Sequence, residues 1–160
     1  MLTIVFDADG LIKLARAGIL ERVASLIHCI TSQQVYNETM RGKEKMYEDA
    51  FIIDALVEKG SIEVKRIKPT EGLLGLGLGE RSALALFNKI QGDAIISDDR
   101  KFLAVLETVD IPFIIPTDLI AMLAVHKKLQ KTEAIKALEV LRPFVREENY
   151  TAASELIGGD

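Results

Sequence analysis

The stretch Leu2-Thr-Ile-Val-Phe6-Asp7-Ala-Asp9-Gly10 decides the reading of the whole chain. Its first five residues are apolar or β-branched and too few for a helix, so they read as a buried strand. Two acids and a glycine end it abruptly. Leu11, Ile12, Leu14 and Ala15 then recur at helical spacing, and beyond Gly18 a second helical face runs through Ile19, Leu20, Val23, Leu26 and Ile27. The alternation continues. A brief strand spans 27–30, and Thr31 or Ser32 caps a helix that ends at Gly42. Residues 43–59 form an amphipathic helix stopped by Gly60, and 61–68 alternate as a partly exposed strand. After a glycine-rich loop (69–78), the pattern predicts helix 79–90, strand 94–97, helix 99–109 and strand 112–115. Two helices follow, 118–128 capped by Thr117 and 133–141 capped by Thr132. Beyond Pro143 the pattern fades, and residues 158–160 are expected to fray. Strands alternating with helices imply crossover connections and a mostly parallel sheet covered on both faces, hence one α/β domain over 1–160 with its core at 2–142.

Composition narrows the function classes. The 160 residues are 49% hydrophobic, with 20 Lys plus Arg against 24 Asp plus Glu and a net charge of −4. That apolar content excludes a disordered chain. The single cysteine, Cys29, excludes a disulfide scaffold and a Cys-built zinc site, and fits a reducing, cytoplasmic setting. No apolar run reaches the roughly 18–20 residues of a membrane span, and the N-terminus lacks the basic start of a signal peptide. An acidic total argues against gripping nucleic acid through bulk positive charge.

The acids are not scattered. In parallel sheets ligands bind outside the carboxyl ends of the strands. Asp7 and Asp9 follow the first strand, Asp98 and Asp99 follow strand 94–97, and Glu80 opens the helix after the glycine loop. Glu38 lies in a helix flanked by Val35, Tyr36 and Met40. Carboxylates gathered a few Å apart raise one another's pKa, a conflict that a divalent cation resolves. Oxygen-only donors, without Cys or His, select Mg²⁺ or Mn²⁺ over zinc. Such an ion activates water and neutralises charge developing on phosphate oxygens, so the residues point to a metal-dependent phosphoester enzyme. With one or two such ions bound, the net charge moves from −4 to about −2 or 0, and the local sign inverts.

Two families resemble parts of this pattern. Ile4-Val-Phe-Asp7-Ala-Asp9-Gly10 is similar to the opening motif of haloacid-dehalogenase-like phosphatases, which would make Asp7 the nucleophile and Asp9 the acid/base. Leu11 stands where that family expects Thr or Val, and Glu38 and Gly79-Glu80 are left without work. The second resemblance, to the PIN-domain ribonucleases, uses the whole acidic set in order from Leu2 to about Arg142. It rests on Asp7-Ala-Asp9-Gly-Leu-Ile-Lys-Leu-Ala-Arg16, Ser32-Gln-Gln-Val-Tyr-Asn-Glu38, Leu76-Gly-Leu-Gly-Glu80-Arg-Ser-Ala, Ala94-Ile-Ile-Ser97-Asp98-Asp99-Arg-Lys-Phe102 and Ile114-Ile-Pro-Thr117-Asp-Leu.

This resemblance implies a three-layer α/β/α sandwich and a metal-dependent endoribonuclease acting on single-stranded RNA with Mg²⁺ or Mn²⁺. It implies Asp7, Glu38, Glu80 and Asp99 as catalytic metal-site acids, with Asp98 as a second metal candidate beside Asp99. Ser97 would support the pocket by hydrogen bonding. Asp9 stands where a small Ser or Thr is common, as an extra ligand or a solvated neighbour. Resemblance to VapC-like toxins of toxin–antitoxin pairs further implies an antitoxin partner and a homodimer. Arg81, Arg100 and Lys101 adjoin the acids and are candidates for RNA contact. His28 and His126 fall outside every acidic motif, and Cys29 reads as a small buried hydrophobe. A metal-free interaction protein with degenerate catalysis is the non-enzyme alternative, against which the complete acidic set argues.

Overall fold

The computed structural model describes residues 1–72 and 75–158. Its strands are β1 (Thr3–Phe6), β2 (His28–Ser32), β3 (Ile62–Lys65), β4 (Ala94–Ile96) and β5 (Phe113–Ile114). They pair throughout in parallel in the order β3-β2-β1-β4-β5. The helices are α1 (Ala8–Arg16), α2 (Leu20–Leu26), α3 (Gln33–Glu44), α4 (Glu48–Glu58), α5 (Leu78–Ile90), α6 (Arg100–Thr108), α7 (Pro116–Val125), α8 (Lys131–Leu141) and α9 (Glu147–Gly158). The period-2 alternation of strand side chains sorts the core into two layers. Ile4, Phe6, Cys29, Ile62 and Ile96 face one side and pack with α1, α2, α4, α7, α8 and α9. Val5, Ile30 and Ile95 face the other, against Leu84 and Leu86 of α5 and Phe102, Leu103 and Leu106 of α6. The expected α/β/α sandwich is therefore the observed fold.

Several expected boundaries move, each for a local reason. Gly10 does not separate strand from helix: Asp7 caps α1 directly, so Gly10 lies inside the first turn. α3 runs through Gly42 to Glu44, and the next helix starts only at Glu48, after a left-handed turn at Met46 with φ 63°. Thr117 does not cap α7. Ile115 is the cap residue, and Pro116 takes the first helical position, where its missing N–H costs no hydrogen bond. Thr132 lies inside α8, which begins after Gln130. The largest correction concerns the C-terminus. Residues expected to trail off form α9, whose Ala153 and Ile157 join the main core against α7 and α8. The fraying expected at Gly159 and Asp160, and the part of loop 69–78 at Leu73 and Leu74, lie outside the described residues.

Candidate metal centre

Asp7 is fixed from two sides. The chain leaves β1 at Phe6 and turns at once into α1, with Asp7 Oδ1 accepting the Gly10 N–H at 3.0 Å. The turn requires glycine at position 10, where a β-carbon would fall 2.9 Å from the Ile96 carbonyl oxygen. α1 can therefore start hard against the end of β4. From that end, the Ser97 hydroxyl donates to Asp7 Oδ2 at 2.6 Å and accepts the Asp99 N–H at 3.2 Å. Asp99 in turn caps α6, its Oδ1 accepting the Phe102 N–H at 3.0 Å. One buried serine thus ties the ends of β1 and β4 to two acids. Asp7 is only 4% exposed. Burial pushes its carboxyl up to about 7, helped by the Asp9 and Glu80 charges and opposed by the bonds from Ser97 and Gly10.

Glu38 and Glu80 arrive on helices locked to each other at their starts. Ser32 caps α3 by accepting the Val35 N–H at 3.0 Å, and its hydroxyl meets that of Ser82 at 2.6 Å. Because Ser82 donates to the Gly79 carbonyl at 2.6 Å, Ser32 must donate to Ser82. Both serines are fully buried. The relay pulls Gly79 over Glu38 so closely that a β-carbon there would collide with the Glu38 carboxylate. Gly79→Ala is expected to displace Glu38 and lower Mn²⁺ affinity by about tenfold or more in a calorimetric titration. Glu80 bends back to accept the Gly77 N–H through Oε1 at 3.2 Å, the capping-box bond. Its Oε2 is buried and has no hydrogen-bond partner among the described residues. Burial raises the Glu80 carboxyl, with the Asp99 and Glu38 charges adding to it and the Gly77 bond and Lys101 opposing.

Asp7, Glu38, Glu80 and Asp99 all line one cavity of about 130 Å³, with Ala8, Asp9, Val35 and Gly79 completing its wall. Among the described residues no three carboxylates close on a common point as they stand. The donor set is nonetheless that of a hard cation. It is all oxygen, it gathers three further acids around the buried Asp7, and it includes a buried carboxylate oxygen with no other partner among the described residues.

Asp98 and Asp9 are both paired with Lys13. Lys13 Nζ lies 2.7 Å from Asp98 Oδ2 and 3.3 Å from Asp9 Oδ2, and the Asp98 N–H donates to Asp9 Oδ2 at 3.1 Å. Burial pulls the Lys13 ammonium down, but the bonds and charges of Asp98 and Asp9 outweigh it and hold it above the ordinary lysine value. Asp98 is not part of the cavity wall, whereas Asp9 is. Arg100 and Lys101 are exposed at the start of α6, while Arg81 turns toward the Thr70 carbonyl at 3.5 Å. Lys13 is a site residue absent from the sequence-based expectations, although its i, i+4 spacing from Asp9 is a legible signal. Ser82 is another, whose partner is 50 residues away and has no local signature.

Ser97→Ala is expected to lower Mn²⁺ affinity by about 10–100-fold in a calorimetric titration, because it removes the bond orienting Asp7 and the link to Asp99. Unchanged affinity would count against Asp7 as a ligand.

A family model described as a PIN domain (DUF3368) matches residues 3–157. Comparison with curated proteins and with solved structures returned no match. The matched span contains Asp7, Glu38, Glu80 and Asp99. PIN domains are generally metal-dependent nucleases. With nearly its whole length matched, and with a five-stranded parallel sheet between helical layers, the chain belongs to the PIN-domain family.

Proposed function

We propose that this protein is a Mg²⁺- or Mn²⁺-dependent endoribonuclease that hydrolyses phosphodiester bonds of single-stranded RNA, with Asp7, Glu38, Glu80 and Asp99 holding the ion. The observation that carries the reading is that four carboxylates, from four separate parts of the chain, line one cavity at the carboxyl edge of the sheet. When bound, the cation lowers the pKa of water and offsets charge building on the phosphate oxygens. The chain's own groups then have distinct tasks. Asp7 is rigid, its two oxygens fixed by Gly10 and Ser97, so it sets the position of the centre. Glu80 Oε2, free of other bonds among the described residues, is the oxygen suited to reach the ion or to orient a water beside it. Asp99, exposed at the rim, is suited to close the side facing solvent. Arg100 and Lys101, one and two residues further on, are suited to meet substrate phosphates there.

The reading extends to a cytoplasmic location, a homodimer and an antitoxin partner, as in VapC-like toxins. Among the described residues no helix is long and apolar enough to cross a membrane. The test is cleavage of end-labelled single-stranded RNA with Mn²⁺, with Mg²⁺ and with EDTA. Internal cuts that require the metal, and that fade on duplex RNA, are expected. Hydrolysis of p-nitrophenyl phosphate that needs Asp7 and Asp9 but not Glu38 would favour the phosphatase instead. Absence of both Mn²⁺ binding and cleavage would favour an interaction protein.

A further inference from the structure

We infer that Lys13 takes the place of a second cation at this centre: its ammonium holds Asp9 and Asp98, so the pocket binds one divalent ion and Asp98 is not one of its ligands. The inference rests on the metal-binding reading of the Asp7 cavity and goes beyond it by fixing the number of ions and the role of a residue that reading leaves idle.

Lys13 is not a surface lysine. Its side chain is 14% exposed and that of Asp98 only 6%. From one turn beyond Asp9 on α1, the side chain reaches across to the segment after β4. There its Nζ lies 2.7 Å from Asp98 Oδ2 while keeping 3.3 Å to Asp9 Oδ2. The Asp98 N–H fills another acceptor site of the same Asp9 oxygen at 3.1 Å. A divalent ion approaching this pair would meet a fixed positive charge and oxygens already engaged. Without Lys13, Asp9 and Asp98 would face each other with no cation between them. The Asp98 carboxylate is the buried member of the pair, Asp9 being 36% exposed, and leaving it charged and unpaired is strongly unfavourable, which favours a cation there. The chain supplies its own, on a tether that cannot be lost to a chelator. A pair of adjacent acids after β4 is thereby divided in two: Asp99 lines the cavity, and Asp98 anchors the lysine. Lys13 is a positioning residue in this scheme, keeping the end of α1 and the Asp98-Asp99 segment in register beside Asp7.

The test counts bound Mn²⁺ by calorimetry, and by the paramagnetic signal of free ion, on folded wild type, Lys13→Met, Lys13→Arg, Asp98→Asn and the double variant Lys13→Met/Asp98→Asn. The wild type and Lys13→Arg are expected to bind one ion per chain. Lys13→Met is expected to gain a second, weaker ion, and adding Asp98→Asn is expected to remove it. Asp98→Asn alone should leave wild-type affinity within about threefold, whereas loss of a true ligand costs more than the 10–100-fold of an outer-shell change. Should Lys13→Met fail to fold, Asp98→Asn alone decides the matter. Two ions in the wild type, one ion in folded Lys13→Met, or a tenfold or greater loss in Asp98→Asn would overturn the role of Lys13 and leave the nuclease reading standing. No Mn²⁺ bound by the wild type would overturn both.

Discussion

Asp7→Asn is expected to abolish RNA cleavage and, at the same time, to make the metal-free protein more stable above pH 7. The loss of activity follows from the charge: a neutral amide in the most buried position of the centre removes the anchor of the cation. Since disturbing a mere supporting residue costs about 10–100-fold, cleavage should fall by well over a hundredfold. The gain in stability follows from the same burial. Asp7 is raised from 3.8 to about 7 in the folded protein, chiefly by removal from water. The folded state therefore holds a proton between about pH 4 and 7 that the unfolded state has released. The metal-free protein is accordingly most stable, as far as Asp7 is concerned, below about pH 4. It loses that contribution as pH rises toward 7, and above 7 the ionised carboxylate costs roughly 4 kcal/mol. Asparagine carries no such charge and keeps the oxygen that accepts from Gly10. At pH 8 the variant should melt about 5–10 °C above the metal-free wild type, with the gap narrowing below pH 7 and closing near pH 4. Adding Mn²⁺ should raise the wild-type melting temperature and leave that of Asp7→Asn unmoved. Metal affinity of the wild type should rise with pH through about 7, as Asp7 gives up its proton. A variant that melts below the wild type at pH 8 would show that burial of the charge is not what Asp7 contributes.

Deleting α9, residues 147–158, is expected to lower the melting temperature by more than 10 °C. Ile157 is 3% exposed and Ala153 fully buried, and both sit in the core layer that α7 and α8 share with Ile4 and Phe6 of β1. Truncating Ile157 alone to alanine should cost about 2–4 kcal/mol, and removing the helix also bares the faces of α7 and α8 that it covers. Thermal unfolding midpoints of the full chain, Ile157→Ala and the deletion give the comparison. A deletion melting within about 3 °C of the full chain would mean that α9 is an appendage.

The two regions differ in how far the residues alone announce them. The strand-then-acid pattern at Asp7 and at Ser97-Asp98-Asp99 is local, because a short buried strand followed at once by carboxylates has no surface-helix explanation. Glu38 and Glu80 lie on helices whose amphipathic spacing is equally plain. So the sheet, its helices and the four cavity acids were legible. What was not legible depends on partners distant in the chain. Ser82 looks like an ordinary small helical residue until α3 is beside it. Asp98 and Asp99 are indistinguishable as neighbours, and only the reach of Lys13 from α1 separates them. α9 escaped notice because Glu147, Glu148 and Asn149 dilute its apolar face and no capping signal opens it; tertiary contact with α7 makes it a helix. The shifted helix starts at Pro116 and Lys131 have the same origin, since proline chemistry and packing outvoted the nearby threonines.

In the proposed enzyme Asp7, Glu38, Glu80 and Asp99 hold one divalent cation. The most direct test is anomalous diffraction from crystals soaked in Mn²⁺. The expected result is one strong anomalous peak per chain inside the cavity, bordered by Asp7 and Asp99 and reached by Glu38 and Glu80 directly or through water, with Lys13 still joined to Asp98. A peak at Asp9 and Asp98 with Lys13 displaced, or no peak at saturating Mn²⁺, would rule out this arrangement of the four acids around one ion.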